Sequence, residues 1–348
     1  MINVLVVDDS PTVRYTLQLI LESDPELSVV GFAANGQDAL RCALELRPDL
    51  ITMDVLMPGI DGIEATRLIM EQCPTPLIIV SAHNSDPEMA IGFNALQAGA
   101  LQVVDKPSNA FAPENAAERA ALIATVKLMS EVRVVRRRFA TARRAIAAPE
   151  TDIAAQPIRI VAIGASTGGP AALNTLLSAL PADFPTPIVL VQHITPGFTN
   201  GLATWLQSSC RLPVRVVQPG ERLRPGVVFV APDEYHLTVE NGGWLGLTMS
   251  APVNHVRPSV NVLFHSVGLI YGAAALGILL TGMGEDGASG LRTIRQNGGI
   301  TIGQDEATSV VYGMPKAAAE LDACSTILPL EQIAAHLVRV VMRSRDLG

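Results

Sequence analysis

The sequence predicts an α/β chain: two doubly wound parallel-sheet domains joined by a linker. Three observations carry this expectation. Short, continuous, β-branched apolar runs alternate with amphipathic segments through the first third of the chain. The alternation then stops in a basic and afterwards Ala/Pro-rich stretch, and it resumes beyond it. Runs of this kind fit strands buried on both faces of a parallel sheet, and helices between them imply right-handed crossovers. A length of 348 residues suits two domains, each with its own core. A hydrophobic fraction of 49% with 17% charged residues excludes a disordered chain.

In the first domain, expected over residues 1–122, apolar runs occur at Ile2–Val7, Ser28–Phe32, Leu50–Met53, Leu77–Val80 and Leu101–Val104. Amphipathic segments begin near Thr12, Gln37, Gly62, Glu88 and Asn115. Open parallel sheets place their functional groups beyond the carboxyl ends of the strands. Those ends carry Asp8 and Asp9, then Asp54, then Ser81, then Lys106. Three carboxylates converging on one edge repel one another unless a cation sits among them, and their hard oxygens suit Mg²⁺. Lys106 adds a positive charge and Ser81 a hydroxyl, both suited to phosphoryl oxygens. A single Asp at a strand end reads as a helix cap; five functional groups at matching ends do not.

This constellation, with Asp54-Val55-Leu56-Met57-Pro58-Gly59 and Asp61-Gly62, resembles the receiver domain of two-component response regulators, a flavodoxin-like fold. The resemblance implies that Asp54 accepts a phosphoryl group from a histidine kinase. It implies that Asp8 and Asp9 form the acidic Mg²⁺ pocket, which the backbone carbonyl of Leu56 completes. Ser81 and Lys106 would contact the phosphoryl group. One position departs from the family pattern: Val103 stands where an aromatic residue usually precedes the lysine by three.

A connector is expected over residues 123–157. Between Lys127 and Arg144 lie seven basic residues and one acid, Glu131, which suggests a solvated extension of the last receiver helix. Ala145 to Pro157 reads as flexible linker. A strand follows rather than a helix-turn-helix, which argues against a transcription-factor output. The net charge of −8 likewise argues against a nucleic-acid partner.

The second domain, expected over residues 158–348, begins with an apolar run, Ile158–Ile163, that enters Gly164-Ala165-Ser166-Thr167-Gly168-Gly169-Pro170. A strand ending in a Gly-lined turn before a helix leaves Ser166 at the crest, where it suits either an exposed nucleophile or a phosphate cradle. Pro187–Val191 and Ala275–Leu280 read as further strands, each leading into a loop and a helix. Shorter runs lie at Val214–Val217 and Val227–Ala231. Tyr235–Glu240 and Trp244–Met249, around Asn241-Gly242-Gly243, read as an antiparallel hairpin attached to the sheet. Helices are expected over Ser259–Tyr271, Gly287–Gln296, Met314–Leu321 and Leu330–Met342.

Reading the strand ends again gives Ser166, His193 and Asp286, a candidate nucleophile, base and orienting carboxylate if their strands are parallel. A paired His contributes ~10²–10⁴-fold as general acid and base. The N–H groups of Thr167 and Met283 are candidate oxyanion donors, each worth ~3 kcal/mol. His236, His255 and His265 are the rival bases, and only His193 stands at a strand end. The chain order Ser-His-Asp differs from that of the α/β-hydrolases. The alternative, a nucleotide-binding turn, would want a second Gly where Ser166 stands.

The domain resembles the Rossmann-like catalytic domain of the chemotaxis receptor methylesterases (protein-glutamate methylesterase/deamidase). The motifs are Ile163 to Pro170, Val191-Gln192-His193, His255 to Val260, Leu280 to Ala288 and Gln304 to Pro315. The family's triad falls on Ser166, His193 and Asp286, while Asn261 replaces the usual Asp. The resemblance implies a phosphorylation-activated serine hydrolase acting on methyl-accepting chemoreceptors, with no cofactor for the ester chemistry. It would release methanol from glutamyl methyl esters and deamidate glutamines. Four scattered cysteines, acids directly behind the first apolar run and no membrane-length apolar run point to a cytoplasmic protein without membrane insertion.

Overall fold

The computed structural model describes residues 1–81, 86–107, 112, 115–132, 134 and 156–345. The chain divides into two compact units, Met1–Arg143 and Arg144–Gly348. Most of the expected linker and most of the basic run lie outside the described residues.

The first unit alternates β1 (Ile2–Val7), α1 (Pro11–Leu21), β2 (Leu27–Ala33), α2 (Gly36–Leu46), β3 (Leu50–Met53) and α3 (Gly62–Gln72). It continues with β4 (Leu77–Ser81), α4 (Asp86–Ala98), β5 (Gln102–Asp105) and α5 (Ala116–Ser130). The sheet is parallel throughout, in the order β2-β1-β3-β4-β5. Its central strands β3 and β4 are buried at every residue, as runs covered on both faces must be. Helix starts are set by side-chain caps: Ser10 Oγ accepts from Val13 N–H, Asn35 from Asp38 N–H and Asp61 from Glu64 N–H. The strand order reverses between β1 and β3, so the crevice at that switch point receives Asp8 and Asp54.

The second unit is built on β6 (Ile160–Ala165), α6 (Gly169–Ser178), β7 (Ile188–Gln192), α7 (Thr199–Ser209), β8 (Val214–Val216) and β9 (Val228–Val230). A hairpin, β10 (His236–Val239) and β11 (Leu245–Thr248), leads to α8 (Val260–Tyr271) and β12 (Ala275–Leu279). The unit ends with α9 (Ala288–Gln296), β13 (Ile300–Gln304), α10 (Met314–Glu320), β14 (Thr326–Leu328) and α11 (Leu330–Arg345). Seven parallel strands run in the order β14-β13-β12-β6-β7-β9-β8. Two elements differ from expectation. The hairpin is a separate two-stranded sheet, joined to the domain through Leu237, Val239 and Leu245 in the core rather than through the main ladder. Strand β13 and the edge strand β14 lie outside the expected set: β13 carries Thr301 and Gly303 within its apolar run, and β14 is three residues long.

Candidate active site

In the first unit the residues singled out from the sequence meet at one edge. Asp8 and Asp54 are buried, at 1% and 5% exposure, while Asp9 is exposed. Lys106 Nζ lies 2.7 Å from Asp54 Oδ2 and 2.8 Å from Asp8 Oδ2. Burial pushes the Asp54 carboxyl above its ordinary range, with Lys106 pulling back and Asp8 adding to the rise. Burial would lower the Lys106 ammonium, but its contacts with the two carboxylates outweigh that and raise it. Ser81 ends β4, and its carbonyl accepts Lys106 N–H at 2.8 Å. Leu56 follows β3 with its side chain exposed. Gly62 is required here: a Cβ would stand 2.0 Å from the Asp54 carbonyl oxygen. Val103 is buried against Gly92 of α4.

Asp8, Asp9 and Asp54 bring carboxylate oxygens within 4.8 Å of one another. Lys106 alone leaves two of their three negative charges uncompensated. Asp8 Oδ2 is buried without an aligned hydrogen bond despite its ion pair. A hard divalent cation fits this donor set.

In the second unit, β12, β6 and β7 are adjacent and parallel, so their loops emerge side by side. Ala165 pairs with Gln192 at the last register step, which sets Ser166 opposite His193 on strands about 4.8 Å apart. Ser166 N–H donates to Thr281 O at 3.0 Å, fastening the turn to the end of β12. Gly282 backs the serine so closely that a Cβ would lie 2.7 Å from Ser166 Cβ. His193 Nε2 is 3.0 Å from Asp286 Oδ2.

Asp286 is 3% exposed and lies on the N-terminus of α8. Its Oδ1 accepts from Ser259 Oγ (2.7 Å) and Asn261 N–H (3.2 Å), and its Oδ2 from Val260 N–H (2.6 Å). Burial works to raise this carboxyl; His193, Ser259 and the Val260 N–H together hold it below its ordinary value. From sequence alone Ser259 has no assigned role; the signal for one is a Ser that precedes an apolar helical run. Asn261 turns the other way: its Oδ1 accepts from Ser289 Oγ and Gly290 N–H on α9.

Two of the rival histidines are placed elsewhere, and the third lines the same pocket. His236 is fully buried, accepting Ser259 N–H at Nδ1 with Nε2 against Ala251 O. His265 is held by Thr293 and Ser289, and burial lowers its pKa. His255 lines the pocket that contains His193, Met283, Gly284 and Asp286. Among the described residues, neither the Thr167 nor the Met283 N–H donates to a protein acceptor.

A receiver-type acidic pocket and a separate α/β unit with Ser, His and Asp at adjacent strand ends define a response-regulator enzyme of two domains. The comparisons agree in both parts. The CheB methylesterase family matches residues 161–337, and the response regulator receiver domain matches residues 4–115. A protein-glutamate methylesterase/protein-glutamine glutaminase from Nitrosospira multiformis is 48% identical, covering 98% of this chain and 97% of its own. One from Syntrophus aciditrophicus is 49% identical, with 98% of both chains covered. The crystal structure of the Thermotoga maritima CheB methylesterase catalytic domain is 40% identical, with a TM-score of 0.51. That match covers 53% of this chain and 98% of the other. The chain belongs to the protein-glutamate methylesterase/protein-glutamine glutaminase family. Among the described residues, no helix is long and apolar enough to cross a membrane.

Proposed function

We propose that the chain is a phosphorylation-activated serine hydrolase of chemotaxis adaptation. It would remove methyl groups from glutamyl esters of methyl-accepting chemoreceptors and deamidate receptor glutamines. The observation that carries this reading is Ser166 set opposite His193 while His193 Nε2 meets Asp286. With Nε2–H donated to Asp286, the Nδ1 lone pair takes the proton of Ser166 Oγ as that oxygen attacks the ester carbonyl. The oxyanion faces the Thr167 and Met283 N–H groups. The C–OCH₃ bond then breaks, and His193 returns the proton to methoxide, releasing methanol. Water, deprotonated by His193, cleaves the acyl-serine to the glutamate carboxylate and free Ser166. With a glutamine side chain the leaving group is ammonia.

In the receiver, Asp54 accepts the phosphoryl group from a chemotaxis histidine kinase, and Ser81 and Lys106 bind the phosphoryl oxygens. Asp8, Asp9, Asp54 and the Leu56 carbonyl would hold Mg²⁺, which when bound offsets negative charge on the phosphoryl group and the acidic pocket. Attack falls to Asp54 Oδ1, since Oδ2 is engaged by Lys106. The site of action is the cytoplasm. No nucleic acid and no membrane insertion are involved.

The test is methanol release from methylated receptor membranes, with and without a small phosphodonor plus Mg²⁺. Release by wild type should rise with phosphodonor, vanish in Ser166→Ala and lose its rise in Asp54→Ala. Substantial release by Ser166→Ala would sink the nucleophile assignment.

A further inference from the structure

Resting on that reading of Ser166, we infer that Gln192 is the positioning residue of the oxyanion site. Its side-chain amide sets the direction of the Thr167 N–H.

Gln192 is the last residue of β7, and its side chain is 5% exposed. Its Nε2 donates twice, to Ser166 O at 2.8 Å and to His193 O at 2.7 Å. One amide therefore ties the backbone of the nucleophile to the backbone of the base. Ser166 O also accepts from Gly169 N–H at 2.7 Å. In a trans peptide the C=O and the following N–H point in opposite directions. Pinning Ser166 C=O from behind by two donors therefore aims Thr167 N–H away from Gln192, and that N–H has no protein acceptor among the described residues.

The second candidate donor is built the same way. Gly282 O accepts from Gly313 N–H (3.1 Å) and Met314 N–H (2.8 Å), which aims Met283 N–H in the opposite direction. In that peptide both clamps are backbone. In the Ser166–Thr167 peptide one clamp is a side chain, so it is the one that substitution can release. Gln192 Oε1, by contrast, is buried without a hydrogen-bond partner and lies only 2.0 Å from where a Cβ on Gly169 would stand. A buried amide that leaves its acceptor unmatched so that both donors reach these carbonyls is there for the donors.

The test uses full-length Gln192→Met and Gln192→Glu, with phosphodonor and Mg²⁺, on methylated receptor membranes. Met keeps the bulk and removes both donors; Glu keeps the shape and turns acceptors toward the two carbonyls. Each variant should lose about 10–100-fold in kcat, less than the ~10²–10³ of deleting an oxyanion donor outright, with KM within about twofold. Affinity for phenylboronic acid, which forms a tetrahedral adduct on a serine oxygen, should fall by the same factor as kcat. A loss confined to KM, a kcat within twofold of wild type, or unchanged boronate affinity would overturn the assignment. Wild type that is folded but neither binds the boronate nor releases methanol would instead overturn the reading of Ser166 as nucleophile, and this inference with it.

Discussion

His193 Nε2 lies 3.0 Å from Asp286 Oδ2, and the same carboxylate accepts three further hydrogen bonds, from Ser259 Oγ and the Val260 and Asn261 N–H groups. The acid proposed to orient His193 is thereby immobilised by the first turn of α8. Asp286→Asn replaces an acceptor by a donor among groups that all donate. It should lower kcat by about 10⁴, the scale seen when a triad carboxylate is lost. Ser259→Ala removes one of the four bonds and should cost far less. Equal losses in the two variants would show that the carboxylate acts only while Ser259 holds it.

The same pair predicts a pH dependence of stability. The folded Asp286 carboxyl is held below its ordinary value of 3.8. Its contribution to stability is therefore fully present above that value and is lost as pH falls through the lower, folded one. The stability gap between wild type and Asp286→Asn should be widest near neutral pH and close below about pH 4. Chemical denaturation at several pH values reads this directly. A gap that stays constant down to pH 3 would place its origin outside the carboxylate.

Most of this arrangement was legible because parallel strands bring their carboxyl ends to one edge. Once Ile158–Ile163, Pro187–Val191 and Ala275–Leu280 read as strands of one parallel sheet, Ser166, His193 and Asp286 fell on the same edge. The same logic grouped Asp8, Asp54 and Lys106. What stayed hidden depends on contacts far apart in sequence. That α8 would aim its N-terminus at Asp286, 27 residues beyond Ser259, has no local pattern. Neither has the clamp of Gln192 on Ser166, which spans 26 residues. The strands β13 and β14 escaped because Thr301, Gly303 and brevity blur an apolar run. The hairpin was visible from Asn241-Gly242-Gly243, but not its detachment from the main sheet, which side-chain packing decides.

Asp54→Asn should stabilise the fold while removing the proposed phosphoacceptor. Burial raises the Asp54 carboxyl above 3.8, so the folded protein holds this proton at pH values where the unfolded chain has released it. Stability then falls as pH rises between the two values, and the cost is fully present at neutral pH. An amide carries no such cost, and Lys106 keeps Asp8 as partner. Thermal unfolding should show the variant above wild type at pH 7, with the difference shrinking as pH drops through the carboxylate range. A variant less stable at pH 7 would mean that the Lys106 bond outweighs desolvation.

Mg²⁺ should raise the melting temperature of the receiver. Binding to the folded state alone contributes about 1.4 kcal/mol at ten times Kd, which is a few degrees for a unit of this size. Asp9 is exposed, so Asp9→Asn removes a ligand with little effect on the apo fold. The shift should shrink sharply in that variant. An equal shift in both proteins would place the cation elsewhere.

His255→Gly should stabilise the second unit. Val253 and Val256 exchange both backbone hydrogen bonds at 3.1 Å around Asn254 and His255, whose φ angles are +51° and +63°. Positive φ at both central residues is the pattern of a type I′ turn, where glycine is favoured at the second position. A side chain there costs about 1–2 kcal/mol, whereas the added freedom of an unfolded glycine costs about 0.4–1 kcal/mol. Strain relief therefore wins by a margin on the order of 0.5–1 kcal/mol, a rise of about 1–4 °C. His255→Ala is the control, because its Cβ keeps the strain while the exposed imidazole is lost. Thermal unfolding of the two variants should separate them, glycine above wild type and alanine not. If alanine stabilises as much as glycine, the turn is unstrained and the imidazole itself is the destabilising group.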